Sequence, residues 1–207
     1  MIYSTPVVGL ILAGGLARRM GGGDKCLLPL AGKTLLQRTI ERAQPQVDEL
    51  LLNANGSSLR FARMRLPVIA DHFTDNPGPL AGIHAGLAWL TKDNPDGEWL
   101  VSFASDTPFF PKDLVPKLLN AAIDKQAQVA VATSRTGMQP TFSLWHASML
   151  ANIETVLHSG KIPSLQEWIT QQRYTAVEFA TGEYDPFFNI NTPQDLYSAE
   201  TQITRVG

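Results

Sequence analysis

The sequence predicts an α/β fold built on a mostly parallel β-sheet with helices on both faces. Short apolar runs alternate with segments of helical periodicity, which is typical of successive strand–helix–strand units. The run VVGLILA at residues 7–13 is apolar throughout and stops at two glycines, as expected for a strand buried on both faces. Because no internal repeat or long linker interrupts the chain, we expect one domain over residues 1–207.

Local patterns predict where the elements begin and end. Thr34 and Gln37 form a capping-box pattern that begins a helix, and Pro45 ends it. Thr192 followed by Pro193 supplies the N-cap and the first position of a last helix. Further helices are predicted at residues 83–90, 114–123, 148–157 and 165–172. Strands are predicted at residues 7–13, 49–53, 66–70, 99–104, 129–133, 141–145 and 174–179, the last at a sheet edge.

The composition limits the class of protein. Hydrophobic residues make up 44% of the chain, which is enough for a core and argues against disorder. The 17 basic and 19 acidic residues give a net charge of −2, so no nucleic-acid partner is expected. The single cysteine, Cys26, excludes an intrachain disulfide and fits a reducing compartment. Without a signal-peptide pattern or an apolar stretch of about 20 residues, we expect a cytoplasmic protein that does not enter a membrane.

The strongest functional signal is a glycine-rich loop after the first predicted strand. In open α/β sheets, ligands bind beyond the carboxyl ends of the strands. The segment LAGGLARRMGGGDK at residues 12–25 places five glycines and three cations, Arg18, Arg19 and Lys25, at such a position. Glycines let main-chain N–H groups approach an anion closely, so the pattern predicts a loop that binds a polyphosphate. The alternative is a flexible surface loop with solvated charges.

Two other nucleotide-binding patterns are excluded. The GKT triplet at residues 32–34 resembles the end of a P-loop, but Leu27 stands where that motif needs its first glycine. The glycines from Gly14 to Gly23 do not have the G-x-G-x-x-G spacing of dinucleotide-binding folds. Neither a Walker-type hydrolase nor a nicotinamide-dependent enzyme is therefore supported.

Two aspartates follow predicted strands and are candidate ligand contacts. Asp106 comes after the strand at 99–104, where a carboxylate can hold Mg²⁺ together with phosphate oxygens. The alternative for Asp106 is a turn residue before Pro108. Asp71 comes after the strand at 66–70 and either accepts hydrogen bonds from a nucleoside or closes a turn.

The GPLAG segment at residues 78–82 is a further candidate, because it offers a backbone surface that a ligand can approach closely at a helix N-terminus. The alternative is a purely structural turn at the start of the helix, which has the same sequence pattern.

Five segments, in order, resemble one known family. They are LAGGLARRMGGGDKCLLPLAGKTLLQR, NPGPLAGIHAGL, SDTPFF, QPTFSLW and FFNINTPQDL. From Val8 to about Leu196 the chain resembles the molybdenum cofactor guanylyltransferases, although the first segment alone is shared with many sugar and isoprenoid nucleotidyltransferases. The resemblance implies a Rossmann-like nucleotidyltransferase domain. It also implies transfer of GMP from GTP to the terminal phosphate of Mo-molybdopterin, with release of pyrophosphate.

The resemblance further implies roles for individual residues. Residues 1 to about 110 would bind the nucleotide, and residues from about 111 to 207 would face the molybdopterin, with Asn189 and Asn191 on that side. Catalysis falls to Arg19, Lys25 and Asp106, with Mg²⁺, or alternatively Mn²⁺, on Asp106. The implied nucleotide contacts are Leu12, Ala13, Gly14, Gly15, Gly22, Lys25, Asn53, Asp71, Gly78, Pro79, Leu80, Gly82 and Asp106. The implied partners are GTP, Mo-molybdopterin, and molybdopterin-inserting and molybdoenzyme chaperone proteins.

One segment departs from the family pattern, and two other functions stay open. Family members usually carry one or two further basic residues after the glycine at position 160, where this chain has Lys161 followed by Ile162 and Pro163. One alternative is a nucleotidyltransferase that uses CTP on molybdopterin or acts on a sugar or isoprenoid phosphate. The other is a non-catalytic protein that binds and delivers the cofactor. The presence of Lys25 and Asp106 favours an enzyme.

Overall fold

The structure is a computed structural model that describes residues 5–14, 23–73, 78–94 and 97–206, with side chains up to Ile203. Its elements are strands and α-helices joined in places by short 3₁₀ turns. The strands are β1 (Val7–Leu12), β2 (Pro29–Leu30), β3 (Lys33–Thr34), β4 (Glu49–Asn53), β5 (Val68–Ile69), β6 (Trp99–Ala104), β7 (Val129–Ser134), β8 (Gly137–His146) and β9 (Tyr174–Glu178). The helices are α1 (Leu35–Ala43), α2 (Pro79–Asp93), α3 (Leu114–Asp124), α4 (Leu150–His158), α5 (Leu165–Thr170) and α6 (Pro193–Val206).

Strands from both halves of the chain share one seven-stranded sheet, in the order β5-β4-β1-β6-β8-β7-β9. The pairings β1 with β4, β1 with β6, β4 with β5 and β7 with β9 are parallel. β8 runs antiparallel to both of its neighbours, β6 and β7. Only two residues join β7 to β8, and a connection that short makes an antiparallel hairpin. The predicted mostly parallel α/β fold is confirmed, and β9 lies at a sheet edge as predicted.

The two faces of the sheet are buried against different helices. Successive residues of a strand point to opposite faces, and accordingly Val7 and Ile11 of β1 belong to one core cluster while Val8 and Leu10 belong to another. Helices α1 and α3 complete the first cluster, and α2, α4 and α5 complete the second. This confirms the helices predicted on both faces. Among the helices described here, none is long and apolar enough to span a bilayer.

A third, smaller cluster attaches the C-terminal segment to the rest of the fold. Leu30 and Leu35 pack there with Ile190 and Ala199, and all four side chains are fully buried. Leu30 and Leu35 flank the β2–β3 hairpin, whereas Ala199 lies on α6. The segment that contains Asn189 and Asn191 is therefore held against the beginning of the chain.

Helix α6 begins with a reciprocal cap. The main-chain N–H of Thr192 donates to Oδ2 of Asp195 at 2.8 Å, and the N–H of Asp195 donates to Oγ1 of Thr192 at 3.2 Å. These bonds satisfy N–H groups that a helix N-terminus leaves without partners. They confirm Thr192 as the N-cap and Pro193 as the first helical residue, both of which the sequence predicts.

Several element boundaries differ from the predictions. Helix α2 begins at Pro79 and not at residue 83, because proline suits the first helical position and Gly78 before it takes a φ of +76°. Strand β5 is shorter than the predicted 66–70, and β8 is longer than the predicted 141–145. A 3₁₀ helix at Ser58–Met64 was not predicted. Tertiary pairing decides the ends of β5 and β8, and local propensity does not reveal it.

The β2–β3 hairpin was also not predicted. Ala31 and Gly32 form its tip with φ angles of +44° and +80°, and the GKT triplet therefore lies at a hairpin turn. Nζ of Lys33 lies 2.6 Å from Oε1 of Glu41, with both side chains about half exposed. This environment agrees with the exclusion of a P-loop.

Candidate active site

Lys25 and Asp106 meet at the edge of the sheet where β1 and β6 end. The two strands are parallel neighbours with Leu12 opposite Ala104, so the residues that follow them emerge side by side. Nζ of Lys25 donates to Oδ2 of Asp106 at 2.6 Å. The side chains are only 11% and 22% exposed. Partial burial makes this ion pair less screened by solvent than one at the surface.

Two amides complete the contacts of Lys25. Its Nζ also donates to Oδ1 of Asn191 at 2.5 Å and to Oδ1 of Asn189 at 3.4 Å. The main-chain N–H of Ile190, between these asparagines, donates to the carbonyl of Asp106 at 3.0 Å. Three side-chain oxygens from two distant segments therefore surround one ammonium group.

Asp195 holds the main chain of this asparagine segment. The N–H of Asn191 donates to its Oδ2 at 2.9 Å, beside the bond from Thr192. Burial raises the pKa of Asp195, but the hydrogen bonds from Asn191 and Thr192 and the charge of Lys25 outweigh it and leave the pKa below its ordinary value. The helix cap and the candidate site thus share one carboxylate.

The donor set suits a hard divalent cation. Mg²⁺ prefers carboxylate, amide and phosphate oxygens and binds through one or two carboxylates plus substrate phosphates. Asp106, Asn189 and Asn191 supply oxygens of this kind, which gather around Nζ of Lys25. Within the described ranges, no group of three or more histidine, cysteine, aspartate and glutamate residues can hold a metal ion. A divalent cation held jointly with phosphate oxygens fits these ligands.

A second polar cluster lies beyond β4 and β5. Nδ2 of Asn53 donates to Oδ1 of Asp71 at 2.8 Å, and Nδ2 of Asn55 donates to Oδ2 at 2.7 Å. The main-chain N–H of Asp71 donates in return to Oδ1 of Asn55 at 2.9 Å. The carboxylate therefore closes its loop against two amides, while its half-buried side chain lies at the ligand-binding edge of the sheet.

The residues after Asp71 pack on two helices. The ring of Phe73 lies 5.2 Å from that of His84 on α2 and 5.0 Å from that of His158 on α4. Burial, followed by the nearby His72, lowers the pKa of His84, so this buried imidazole is neutral at neutral pH. These contacts fix the loop that carries Asp71.

Helix α2 approaches the same cluster through a glycine. A Cβ atom on Gly82 would lie 2.3 Å from Oδ1 of Asn53 and 2.7 Å from Cδ2 of Leu12. The main-chain N–H of Ala13 donates to the carbonyl of Asn53 at 2.9 Å. Only a residue without a side chain fits between these atoms, so Gly82 lets the first turn of α2 lie directly beside the end of β1.

The predicted nucleotide residues gather around this edge as far as they are described. Leu12 ends β1 and Ala13 and Gly14 follow it, Gly78 and Pro79 are exposed, and Leu80 is buried at the start of α2. Gly14 is exposed, and a Cβ atom placed on it would meet no atom within 4 Å. Gly15, Arg18, Arg19 and Gly22 lie outside the described residues.

The chain matches the family model described as "MobA-like NTP transferase domain" over residues 9–175. It belongs to this family. A molybdenum cofactor guanylyltransferase of Rhodopseudomonas palustris (strain BisB5) is 46% identical over 95% of this chain and 93% of its own length. The structure resembles the molybdopterin-guanine dinucleotide biosynthesis protein A of Archaeoglobus fulgidus, with a TM-score of 0.75 at 21% identity, covering 96% of this chain and 99% of that one. A Mycobacterium tuberculosis protein solved as its manganese complex has a TM-score of 0.67 at 15% identity, and the match covers 95% of this chain and 99% of that one.

In this member of the MobA-like family, the sequence interpretation missed two supporting residues. Nε of Arg60 lies 2.7 Å from Oδ2 of Asp24, directly before Lys25. Asn55 belongs to an Asn–Gly pair that is typical of a turn, yet its side chain also donates to the carboxylate of Asp71. Neither contact has a sequence signal, because Arg60 lies in the 3₁₀ helix that was not predicted and Asn55 occupies an ordinary Asn–Gly turn.

Cys26 is a packing residue in this MobA-like chain. Its side chain is 1% exposed within the core. Burial, together with the nearby Asp24, raises the pKa of its thiol to about 12. The thiolate that a nucleophile needs is therefore not formed at neutral pH.

Proposed function

We propose that this protein is a molybdenum cofactor guanylyltransferase, which transfers GMP from GTP to the terminal phosphate of Mo-molybdopterin and releases pyrophosphate. The observation that carries the proposal is the meeting of Lys25 and Asp106 at the ligand-binding edge of the sheet, in a chain of the MobA-like family. The name shared by relatives that are 42–46% identical supports GTP and molybdopterin as the substrates.

The chemistry of the attacking group explains what the site must supply. A phosphomonoester has a second pKa of about 6 and is mostly dianionic at neutral pH. It needs no general base, but it must approach the triphosphate, which is also an anion. Catalysis then depends on positioning and on neutralising charge. We assign Lys25 to the α-phosphate and the departing pyrophosphate, and Arg19 to a second cationic contact from the glycine-rich loop.

Asp106 is the proposed ligand of a divalent cation, for which we favour Mg²⁺. The manganese complex of a structural neighbour supports a divalent ion as such. When bound, the ion offsets phosphate charge and aligns the reacting groups. The ammonium of Lys25 draws the carboxylate of Asp106 and the amides of Asn189 and Asn191 together, so these oxygens are positioned by the protein itself.

The remaining roles are assigned to residues of the Asp71 cluster, of the Lys25 cluster and of the chain segments beside them. We assign Asp71, with Asn53, to the nucleoside, and the end of β1 with the GPLAG turn at 78–82 to the walls of its pocket. Asn189 and Asn191 are assigned to the molybdopterin side, and their contacts with Lys25, the residue assigned to the α-phosphate, support this assignment. The N-terminal half would then hold the nucleotide and the C-terminal half the acceptor.

The source of the substrate, the destination of the product and the cellular location are also proposed, from the sequence and from these substrates. Mo-molybdopterin comes from a molybdopterin-inserting protein, and the dinucleotide product passes to molybdoenzyme chaperones. We place this exchange in the cytoplasm, and we expect neither a nucleic acid nor a membrane to bind.

An assay of pyrophosphate release tests the proposed function. Purified protein is incubated with GTP, with and without Mo-molybdopterin, and with Mg²⁺, Mn²⁺ or a chelator. We expect release that requires Mo-molybdopterin and the divalent ion, and that is fastest with GTP. Faster release with CTP or UTP would assign the chain to a sister enzyme, and no release with any nucleotide would favour the delivery protein.

A further inference from the structure

A cleft of about 590 Å³ lies on a part of the molecule that the candidate active site does not use. It opens between α1, the segment at residues 108–112, the segment at 184–186 and α6. Neither Lys25 and Asp106 nor the residues of the Asp71 cluster line it. Its volume falls within the range of about 300–1,000 Å³ that is typical of small-molecule sites.

The cleft combines apolar walls with positive charge. Phe109, Pro108 and Ile203 contribute apolar surface, while Arg38, Arg42 and Lys112 contribute three cations. Cations beside flat apolar walls favour an anion that carries a ring, because a guanidinium group both pairs with acid groups and stacks on rings.

The two carboxylates of the cleft are already engaged by the protein. Oδ2 of Asp185 accepts hydrogen bonds from Ser134 and Thr136 at 3.0 and 2.8 Å, and its Oδ1 accepts one from the N–H of Phe187 at 2.9 Å. Glu41 pairs with Lys33. Asp185 keeps its negative charge, because its donors are neutral, whereas the charge of Glu41 is paired with Lys33. Three cations therefore face one unpaired carboxylate, and the charge that faces the cleft is positive.

The two arginines are held in place by main-chain carbonyls. Arg38 donates through Nε to the carbonyl of Leu30 at 2.9 Å and through Nη2 to that of Ala31 at 2.7 Å. Arg42 donates through Nε to the carbonyl of Pro108 at 3.1 Å. Carbonyls fix the position of a guanidinium group without cancelling its charge. Because the two guanidinium groups are already held in position, less side-chain conformational entropy is lost when an anion binds.

We propose that this cleft binds a small organic anion in which an acidic group is joined to a flat apolar body. The acidic group contacts Arg38, Arg42 and Lys112, and the ring lies against Phe109. The cleft adjoins the segments that carry the catalytic groups, since Pro108 follows Asp106 closely in the chain and the N–H of Phe188, next to Asn189, donates to the carbonyl of Asp185 at 3.1 Å. The site is separate from the nucleotide site, and its existence does not rest on the proposed function.

Fluorescence titration with anilinonaphthalene sulfonate tests the proposal, because this probe is a flat aromatic anion that becomes fluorescent on binding. The full chain is compared with Lys112→Glu, which reverses one charge at an exposed position, and with Gln202→Trp, which places a bulky ring into the cleft. Lys125→Glu is the matched control, because Lys125 is equally exposed but does not line the cleft. Thermal unfolding of each variant shows that it is folded.

We expect saturable binding of one probe molecule per chain. Lys112→Glu should weaken this binding about tenfold or more, Gln202→Trp should abolish it, and Lys125→Glu should leave it unchanged. An excess of GTP should not displace the probe. Non-saturable binding, displacement by GTP, or equal effects of Lys112→Glu and Lys125→Glu would overturn the proposal. If Gln202→Trp does not fold, the comparison of the two lysine variants decides it.

Discussion

Nζ of Lys25 lies 2.6 Å from Oδ2 of Asp106, although the two residues are 81 positions apart in the sequence. β1 and β6 pair in parallel, Asp106 follows the end of β6 closely, and Lys25 begins the short 3₁₀ turn at Lys25–Leu27, further along the chain from the end of β1. Removing either member of a partly buried ion pair leaves the other charge without compensation. The two residues can therefore be tested one at a time, each against a matched control.

Asp106→Asn keeps the shape of the side chain but removes its charge. We expect turnover to fall roughly 100-fold or more, because the group proposed to hold the divalent cation is weakened, while circular dichroism shows an unchanged fold. Asp124→Asn, an exposed aspartate on α3, is the control and should keep full activity. A kcat for Asp106→Asn within a few-fold of the unchanged protein, with normal Mg²⁺ dependence, would contradict the assignment.

Lys25→Met and Lys33→Met separate the proposed catalytic lysine from the lysine of the GKT triplet. We expect Lys25→Met to lower kcat on the order of 100-fold or more at saturating GTP, as loss of a transition-state donor does. Lys33→Met should keep kcat and KM unchanged, because Lys33 pairs with Glu41 at the surface. Steady-state pyrophosphate release measures both. Equal kcat values for the two variants would remove Lys25 from the mechanism.

Gly82→Ala tests the close approach of α2 to Asn53. The new Cβ atom would lie 2.3 Å from Oδ1 of Asn53, so either the amide or the helix must move. We expect the free energy of unfolding to drop by about 1–3 kcal/mol in urea titrations, and KM for GTP to rise. Gly182→Ala is the control, since its Cβ atom would meet no atom within 4 Å. Unchanged stability and KM in Gly82→Ala would show that the contact is not tight in solution.

Asp195→Asn tests the carboxylate that is shared by the α6 cap and the asparagine segment. Because folding lowers the pKa of Asp195, its contribution to stability is present above the ordinary pKa of 3.8 and is lost as the pH falls through the lower folded value. We expect Asp195→Asn to lower the unfolding temperature by a few degrees at pH 7, and the difference to disappear in strong acid. A difference that is the same at both pH values would exclude the charge as the cause.

Part of the candidate site was predicted from residues that are close together in the sequence. The apolar run that ends in glycines indicated a ligand loop after β1, and Asp106 stood at the end of a buried run. The cap at Thr192 and Pro193 was predicted correctly because a helix N-terminus is satisfied by neighbouring residues. Contacts between residues that are distant in the sequence were not predicted in the same way. No local pattern indicated that Asn55 shares Asp71 with Asn53, or that Arg60 reaches Asp24.

The amino-acid sequence by itself determined the fold class, the strand ends at which we expect ligands to bind, and the segments that resemble the family. These properties depend on periodicity and on neighbouring residues, which a single chain displays directly. Only the tertiary structure decided that Lys25 faces Asp106 and both asparagines, that Gly82 must lack a side chain, and that three cations share one cleft. Such contacts join residues that are distant in the chain, and strand pairing and packing across the sheet set their distances.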